Sequence, residues 1–173
     1  MKRIDLPKLC NRRGMLCAAE LGVAKGSFSE EILRTHLNII LFSIDRWAGD
    51  RGHGEEEMNR VKQLLSSHNI RSHIWQLDFK EAAARFEPGT LDWVFIDGYA
   101  HNGQDGIETL RMWYPKVRPG GIFSGHDYDT ERWPETTTVV DAFAREVGAE
   151  VNVTDEYGGA VWDNFPSWFW RKP

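Results

Sequence analysis

Short apolar runs alternate with amphipathic stretches along this chain, and most of the apolar runs end beside an acidic residue or a glycine. Residues 15–21 read as a buried strand closed by Gly22, and residues 38–44 as a second closed by Asp45. Residues 71–77, 91–96 and 120–124 supply three more. Between them, residues 27–37 place Phe28, Ile32, Leu33 and His36 along one helical side, with Ser27 and Glu30 at capping-box spacing. Residues 55–67 carry a stripe of Met58, Val61, Leu64 and Leu65. A short helix is expected after Asp78, a longer one over 103–117, and another over 136–147 with Val139, Val140, Phe143 and Val147 inward. Two last strands, 149–154 and 167–171, have no helix between them and so predict an antiparallel hairpin at one edge. The alternation predicts an α/β fold, a mostly parallel seven-stranded sheet covered on both faces.

Length adds one expectation: 173 residues suit a single domain. Lys and Arg number 21 against 26 Asp and Glu, a net charge of −5 that argues against nucleic-acid or anionic-membrane partners. No apolar run approaches the roughly 20 residues of a membrane span. The charged N-terminus does not read as a signal peptide, and two cysteines, Cys10 and Cys17, build no disulfide framework. A cytoplasmic protein is expected. A homo-oligomer stays open.

In an open parallel sheet, ligands bind beyond the carboxyl ends of the strands. There the chain places Glu20-Leu21-Gly22-Val23-Ala24-Lys25-Gly26, Asp45-Arg46-Trp47, Asp78-Phe79, Asp97-Gly98-Tyr99-Ala100-His101 and Gly125-His126-Asp127-Tyr128. Any one of these is ordinary turn chemistry, but five at one sheet edge point to a site. Gly22 and Gly26 allow a tight turn, yet their spacing is not GxGxxG, so a dinucleotide fingerprint is not met. Glu20 would repel a pyrophosphate and suit a ligand bearing an ammonium group. Asp45 is placed to accept hydrogen bonds from a ribose diol, and Trp47 either offers a flat surface to a base or simply packs.

This ordered set resembles the class I S-adenosylmethionine-dependent methyltransferases over nearly the whole chain. The stretches Phe95-Ile96-Asp97-Gly98, Trp113-Tyr114-Pro115 to Pro119-Gly120-Gly121, and Gly125-His126-Asp127-Tyr128 are similar to a small-molecule methyltransferase subfamily. Its signature reads Ile-Asp-Gly, His, Trp-Trp-Pro, Pro-Gly-Gly and His-Asp-Tyr. The resemblance implies a three-layer Rossmann-like fold and S-adenosylmethionine as cofactor. It implies that Glu20 and the Gly22–Gly26 turn hold the methionine end, Asp45 the ribose, and Asp78 with Phe79 the adenine, with Arg46 and Trp47 also expected to bind the cofactor. The chain departs from the pattern in placing His101 four residues after Asp97 rather than three. The stretch before the first strand is also short for the helices that often form a substrate lid.

Asp97, His126 and Asp127 are expected at one end of neighbouring strands. Catechol-type O-methyltransferases have a comparable set, with Asp-Asn in place of His-Asp, and hold a divalent ion. Mg²⁺, Mn²⁺ and Zn²⁺ are all open here, an imidazole favouring a transition metal. The alternative is that His126 bonds to backbone and Asp127 caps the loop. Asp97 is the expected catalytic centre, and His101 is a candidate general base because imidazole titrates near neutrality. His53, His68 and His73 read as surface or edge residues. The expected activity is methyl transfer to a small-molecule acceptor, most plausibly at oxygen. A non-catalytic S-adenosylmethionine-binding module is the alternative, and a NAD-dependent oxidoreductase a weaker one.

Overall fold

Alternate residues of one central strand, β4 (Leu91–Ile96), face opposite ways: Trp93 and Phe95 enter one apolar layer, Val94 and Ile96 the other. That period of two makes the near-continuous apolar run a strand buried on both faces. The computed structural model describes residues 1–49, 52–98, 107–155 and 165–173. Around β4 it assembles β1 (Cys17–Leu21), β2 (Ile40–Asp45), β3 (Ser72–Gln76), β5 (Val117–Gly125), β6 (Asn152–Val153) and β7 (Trp168–Arg171). The sheet order is β3-β2-β1-β4-β5-β7-β6, with the first five strands parallel and β7 antiparallel to both β5 and β6. The fold is therefore the expected seven-stranded Rossmann-like sheet. The antiparallel pair is present, with the last strand inserted beside β5 and β6 at the edge.

Helices α1 (Leu6–Arg12), α2 (Ser27–Thr35) and α3 (Glu55–Leu65) cover the face that holds Trp93 and Phe95. The other face is covered by α4 (Phe79–Ala83), α5 (Glu108–Trp113) and α6 (Pro134–Val147). Under α5 and α6, Phe123, Phe143, Trp168 and Trp170 pack ring against ring, with centroids 5.1–6.3 Å apart. The Trp-Phe-Trp run is thus final-strand core. Among the described residues no helix is long and apolar enough to cross a membrane.

Several boundaries differ from the sequence reading for local reasons. The first turn of α2 is capped by Gly26 in a left-handed conformation (φ 80°), so Ser27 is already helical and makes no side-chain cap. The helix expected over 103–117 is observed as α5 followed by a 3₁₀ turn, Tyr114–Lys116, where Pro115 breaks the α pattern. Its expected first residues, 103–106, lie outside the described residues. The N-terminal stretch, read only as charged, folds into a 3₁₀ turn (Arg3–Asp5) and α1, which bury Arg3, Leu6, Pro7 and Cys10. Burial pushes both unpaired thiols up, Cys17 to about 11, so they pack rather than react.

Candidate active site

Strand order reverses between β1 and β4, and beyond the carboxyl ends of such strands is where open α/β sheets take their ligands. The two strand ends are locked together. The Asp97 amide donates to the Leu21 carbonyl at 2.7 Å, and a Cβ on Gly22 would stand 1.8 Å from the Asp97 carbonyl oxygen. Gly22 (φ 87°) is therefore required by space as well as by backbone shape. Across from it, a Cβ on Gly98 would meet the Phe79 ring at 2.6 Å, which fixes Phe79 against the loop after β4.

The loop after β1 is organised by Asp45 at the end of β2. Its Oδ2 accepts from the Val23 and Ala24 amides, each at 2.9 Å, and its Oδ1 accepts from the Trp47 amide at 3.1 Å. Ala24 is held left-handed (φ 50°) by this arrangement, and its carbonyl takes the Trp47 indole N–H at 3.0 Å. The amides that could cradle a phosphate are filled by the chain's own carboxylate, which argues against a pyrophosphate ligand in this turn. Trp47 is buried, packing in the layer with Met58 and Val61. It also borders a groove of about 530 Å³ whose walls include Gly49, Gly54, Met58 and Gln76. Gln76 donates to the Arg46 carbonyl at 3.3 Å and ties that segment to β3.

Glu20 lies beneath the loop, 2% exposed, where it accepts a hydrogen bond from the Ser29 hydroxyl, itself 2.9 Å from the Ser43 hydroxyl. Burial pushes its carboxyl up to about 8, against the opposing pull of the Ser29 bond and the Arg3 charge. Asp78 caps α4. Its Oδ1 accepts from the Glu81 amide at 2.7 Å, and the Glu81 carboxylate accepts from the Asp78 amide at 3.4 Å. The capping signal, Asp followed three residues later by Glu, stands in the sequence beside the ligand reading.

At the ends of β4 and β5, Asp97, His126 and Asp127 come together, with one ligand atom from each within 4.8 Å of the others. His126 Nδ1 is 2.7 Å from Asp127 Oδ1 and 3.8 Å from Asp97 Oδ1. Asp127 adopts φ 58°, a left-handed conformation rare for a residue with a Cβ and a frequent sign of a working site. Two carboxylates and an imidazole, with His126 and Asp127 buried, form a donor set that fits a divalent transition ion. Beyond it, the Tyr128 hydroxyl donates to Asp141 at 2.7 Å, pinning the end of β5 to α6. His101 lies outside the described residues.

One site residue was missed from the sequence. Arg3, 4% exposed, passes over the rings of Phe28 (4.4 Å to the centroid) and Phe95 (5.4 Å), and its Nη1 is 3.4 Å from Asp97 Oδ2. A lone arginine near an N-terminus carries no motif. Only the fold brings it to the crevice.

Three comparisons bear on this geometry. Residues 19–128 match the family described as Methyltransferase domain. No curated protein matches the sequence. Among solved structures, the chain is similar to a Staphylococcus aureus protein described as a caffeoyl-CoA O-methyltransferase, with 16% identity, TM-score 0.71, and coverage of 97% of this chain and 82% of that one. An O-methyltransferase from Bacillus cereus in complex with SAH gives 14%, 0.67, 98% and 80%. Spermidine synthase from Thermotoga maritima gives 14%, 0.71, 99% and 61%. Identities this low establish a shared fold, and the different reactions named for those proteins show that the fold alone does not select the acceptor. The family match spans the Glu20 loop, Asp45, Asp97 and the His126–Asp127 pair, and on it the chain belongs to the methyltransferase-domain family as a class I S-adenosylmethionine-dependent methyltransferase.

Proposed function

We propose that this enzyme methylates an oxygen of a small-molecule acceptor, with the acceptor held at Asp97, His126 and Asp127. The convergence of those three side chains at the mouth of the β1/β4 crevice carries the reading. In it, the Gly22–Gly26 turn, shaped from beneath by Asp45, receives the cofactor, whose ribose lies toward Asp45, Arg46 and Trp47. Phe79, fixed against Gly98, borders the adenine, and Glu20 supports the turn from below. The carboxylates near the sulfonium favour its positive charge electrostatically.

The same three side chains would hold a divalent ion, which supplies a lowered hydroxyl pKa and a fixed attacking oxygen. Asp97, anchored through its amide to Leu21, orients the acceptor relative to the methyl group. A second reading rests on the 2.7 Å between His126 and Asp127, the length of a charge-assisted pair in which the imidazole removes the acceptor's proton. Chelation separates them. The metal reading expects S-adenosylhomocysteine to raise the melting temperature with or without chelator, while turnover of labelled cofactor against a panel of phenols stops with chelator and returns with Mn²⁺, Zn²⁺ or Mg²⁺. Full turnover in chelator discards the metal in favour of the histidine pair. An absent thermal shift at millimolar ligand discards the cofactor site.

A further inference from the structure

Among the described residues, Arg3 is the one Lys or Arg that is buried. The segment around it is pinned on both sides. The Met1 carbonyl accepts from the Asp155 amide at 2.9 Å, and Leu6 and Cys10 of α1 are wholly buried in the core. The guanidinium rests on two aromatic rings from different elements, Phe28 in α2 and Phe95 in β4, whose own centroids are 4.5 Å apart. A planar cation held over two rings is a rigid post. Asp97 is placed differently. Its backbone is tethered through its amide to Leu21, while its side chain is 21% exposed and turns about two single bonds.

Arg3 Nη1 donates to Asp97 Oδ2 at 3.4 Å, and the other oxygen, Oδ1, lies 3.8 Å from His126 Nδ1. Holding one oxygen fixes the plane of the carboxylate and so the direction of the other. Without that hold, repulsion from the Asp127 carboxylate in the same cluster favours turning Asp97 outward to water. Resting on the role proposed above for Asp97, we infer that Arg3 is a positioning residue: it holds Oδ2 so that Oδ1 stays aimed at the His126–Asp127 pair, where the acceptor or a divalent ion binds. Arg3 has further partners, and this role needs only its contact with Asp97. Carboxylates that ligate a metal are held by hydrogen-bonding neighbours in the same way, and removing one costs about 10–100-fold in affinity or activity. The plain charge effect of Arg3 has the opposite sign, because a positive group beside a cation site repels the cation.

A double-mutant cycle of Arg3→Met and Asp97→Asn on the full chain separates the two, since residues that act through one another are not additive. Mn²⁺ affinity is read by electron paramagnetic resonance, and kcat by turnover of labelled cofactor against the phenol panel. With Asp97 in place, Arg3→Met is expected to weaken Mn²⁺ binding and lower kcat, each by about 10–100-fold. Its unchanged S-adenosylhomocysteine affinity certifies the fold. In the Asp97→Asn protein the same substitution costs nothing further. Arg3→Lys keeps a charge and a donor and falls between. Equal losses in both backgrounds overturn the inference, as does tighter Mn²⁺ binding by Arg3→Met, the result of lost repulsion alone. A loss confined to S-adenosylhomocysteine affinity overturns it too. If the methionine variant fails to fold, Arg3→Lys takes its place in the cycle, and a lysine protein equal to wild type in both readouts overturns the inference. A wild type that binds no Mn²⁺ but turns over in chelator discards the metal alone, and the cycle is then read in kcat. A wild type that neither binds Mn²⁺ nor methylates any phenol overturns the proposed function, and the inference with it.

Discussion

The two ends of the sheet treat carboxylates in opposite ways. At the end where the strands begin, Asp92 is fully engaged: its Oδ2 accepts from the Leu16 and Cys17 amides at 2.7 and 2.9 Å, and its Oδ1 pairs with the Arg118 guanidinium. At the end where the parallel strands finish, the Asp97 and Asp127 carboxylates gather with His126 in one cluster, and Asp97 also lies 3.4 Å from the buried Arg3. The first arrangement neutralises charge within the fold and serves its stability. The second stores negative charge that suits a cationic sulfonium, an ammonium or a metal ion. Placement at the C-terminal strand ends, where loops are free to vary, is what makes the second a site.

Substitution on each side tests the contrast. Asp97→Asn is expected to lower turnover by at least about 100-fold while the melting temperature holds, because the lost charge orients the acceptor and supports no strand. A fully active Asp97→Asn enzyme would move the chemistry elsewhere. Asp92→Ala should do the reverse, costing about 1–3 kcal/mol in urea unfolding with unchanged activity per folded molecule. Asp45→Ala mixes both behaviours. It frees the Val23 and Ala24 amides and should weaken S-adenosylhomocysteine binding by about 1–3 kcal/mol, measured by titration calorimetry.

The smallest effects are in pH dependence, and they have opposite signs at the two ends. Glu20 is held near 8, above its ordinary 4.5, so the stability gained from its neutral form is whole below about pH 4.5 and is lost as pH rises through about 8. His36, buried just past α2, has its imidazole pushed below the ordinary 6.5 by burial. Its contribution is present above 6.5 and is lost as pH falls from there. Melting temperatures between about pH 5 and 9 should therefore decline on both limbs. Glu20→Gln flattens the alkaline limb alone, and His36→Gln the acid limb alone. Parallel curves for Glu20→Gln and wild type would place the alkaline loss in another group.

Much of this architecture is legible from local pattern. The apolar run of β4, the apolar stripe of α3 and the acidic residues closing strands each depend on neighbours in sequence, and the structure reproduces the strand–helix alternation they imply. What escaped depends on distance. Gly26 caps α2 because its own left-handed backbone starts the helix, a choice that the Ser27–Glu30 spacing did not reveal. The insertion of β7 beside β5 depends on tryptophans packing over Phe123, 45 to 47 residues away in sequence. Asp45 was read as a ligand for a ribose, but its hold on the loop amides required the β1/β2 register to be known. Arg3 lies 94 residues from Asp97, and no spacing rule links them.

Asp97 faces two ways. Its Oδ1 lies 3.8 Å from His126 and its Oδ2 lies 3.4 Å from Arg3, on a backbone tethered to Leu21. A carboxylate shared in this way makes a thermodynamic cycle of the two half-sites. Whatever draws Oδ1 toward His126 alters the field felt by a ligand near Oδ2, and the coupling free energy is the same when the order is reversed. Cofactor and cation, each measured in the presence and absence of the other, should change one another's dissociation constant by one common factor. The size of that factor measures the cooperativity this single side chain carries.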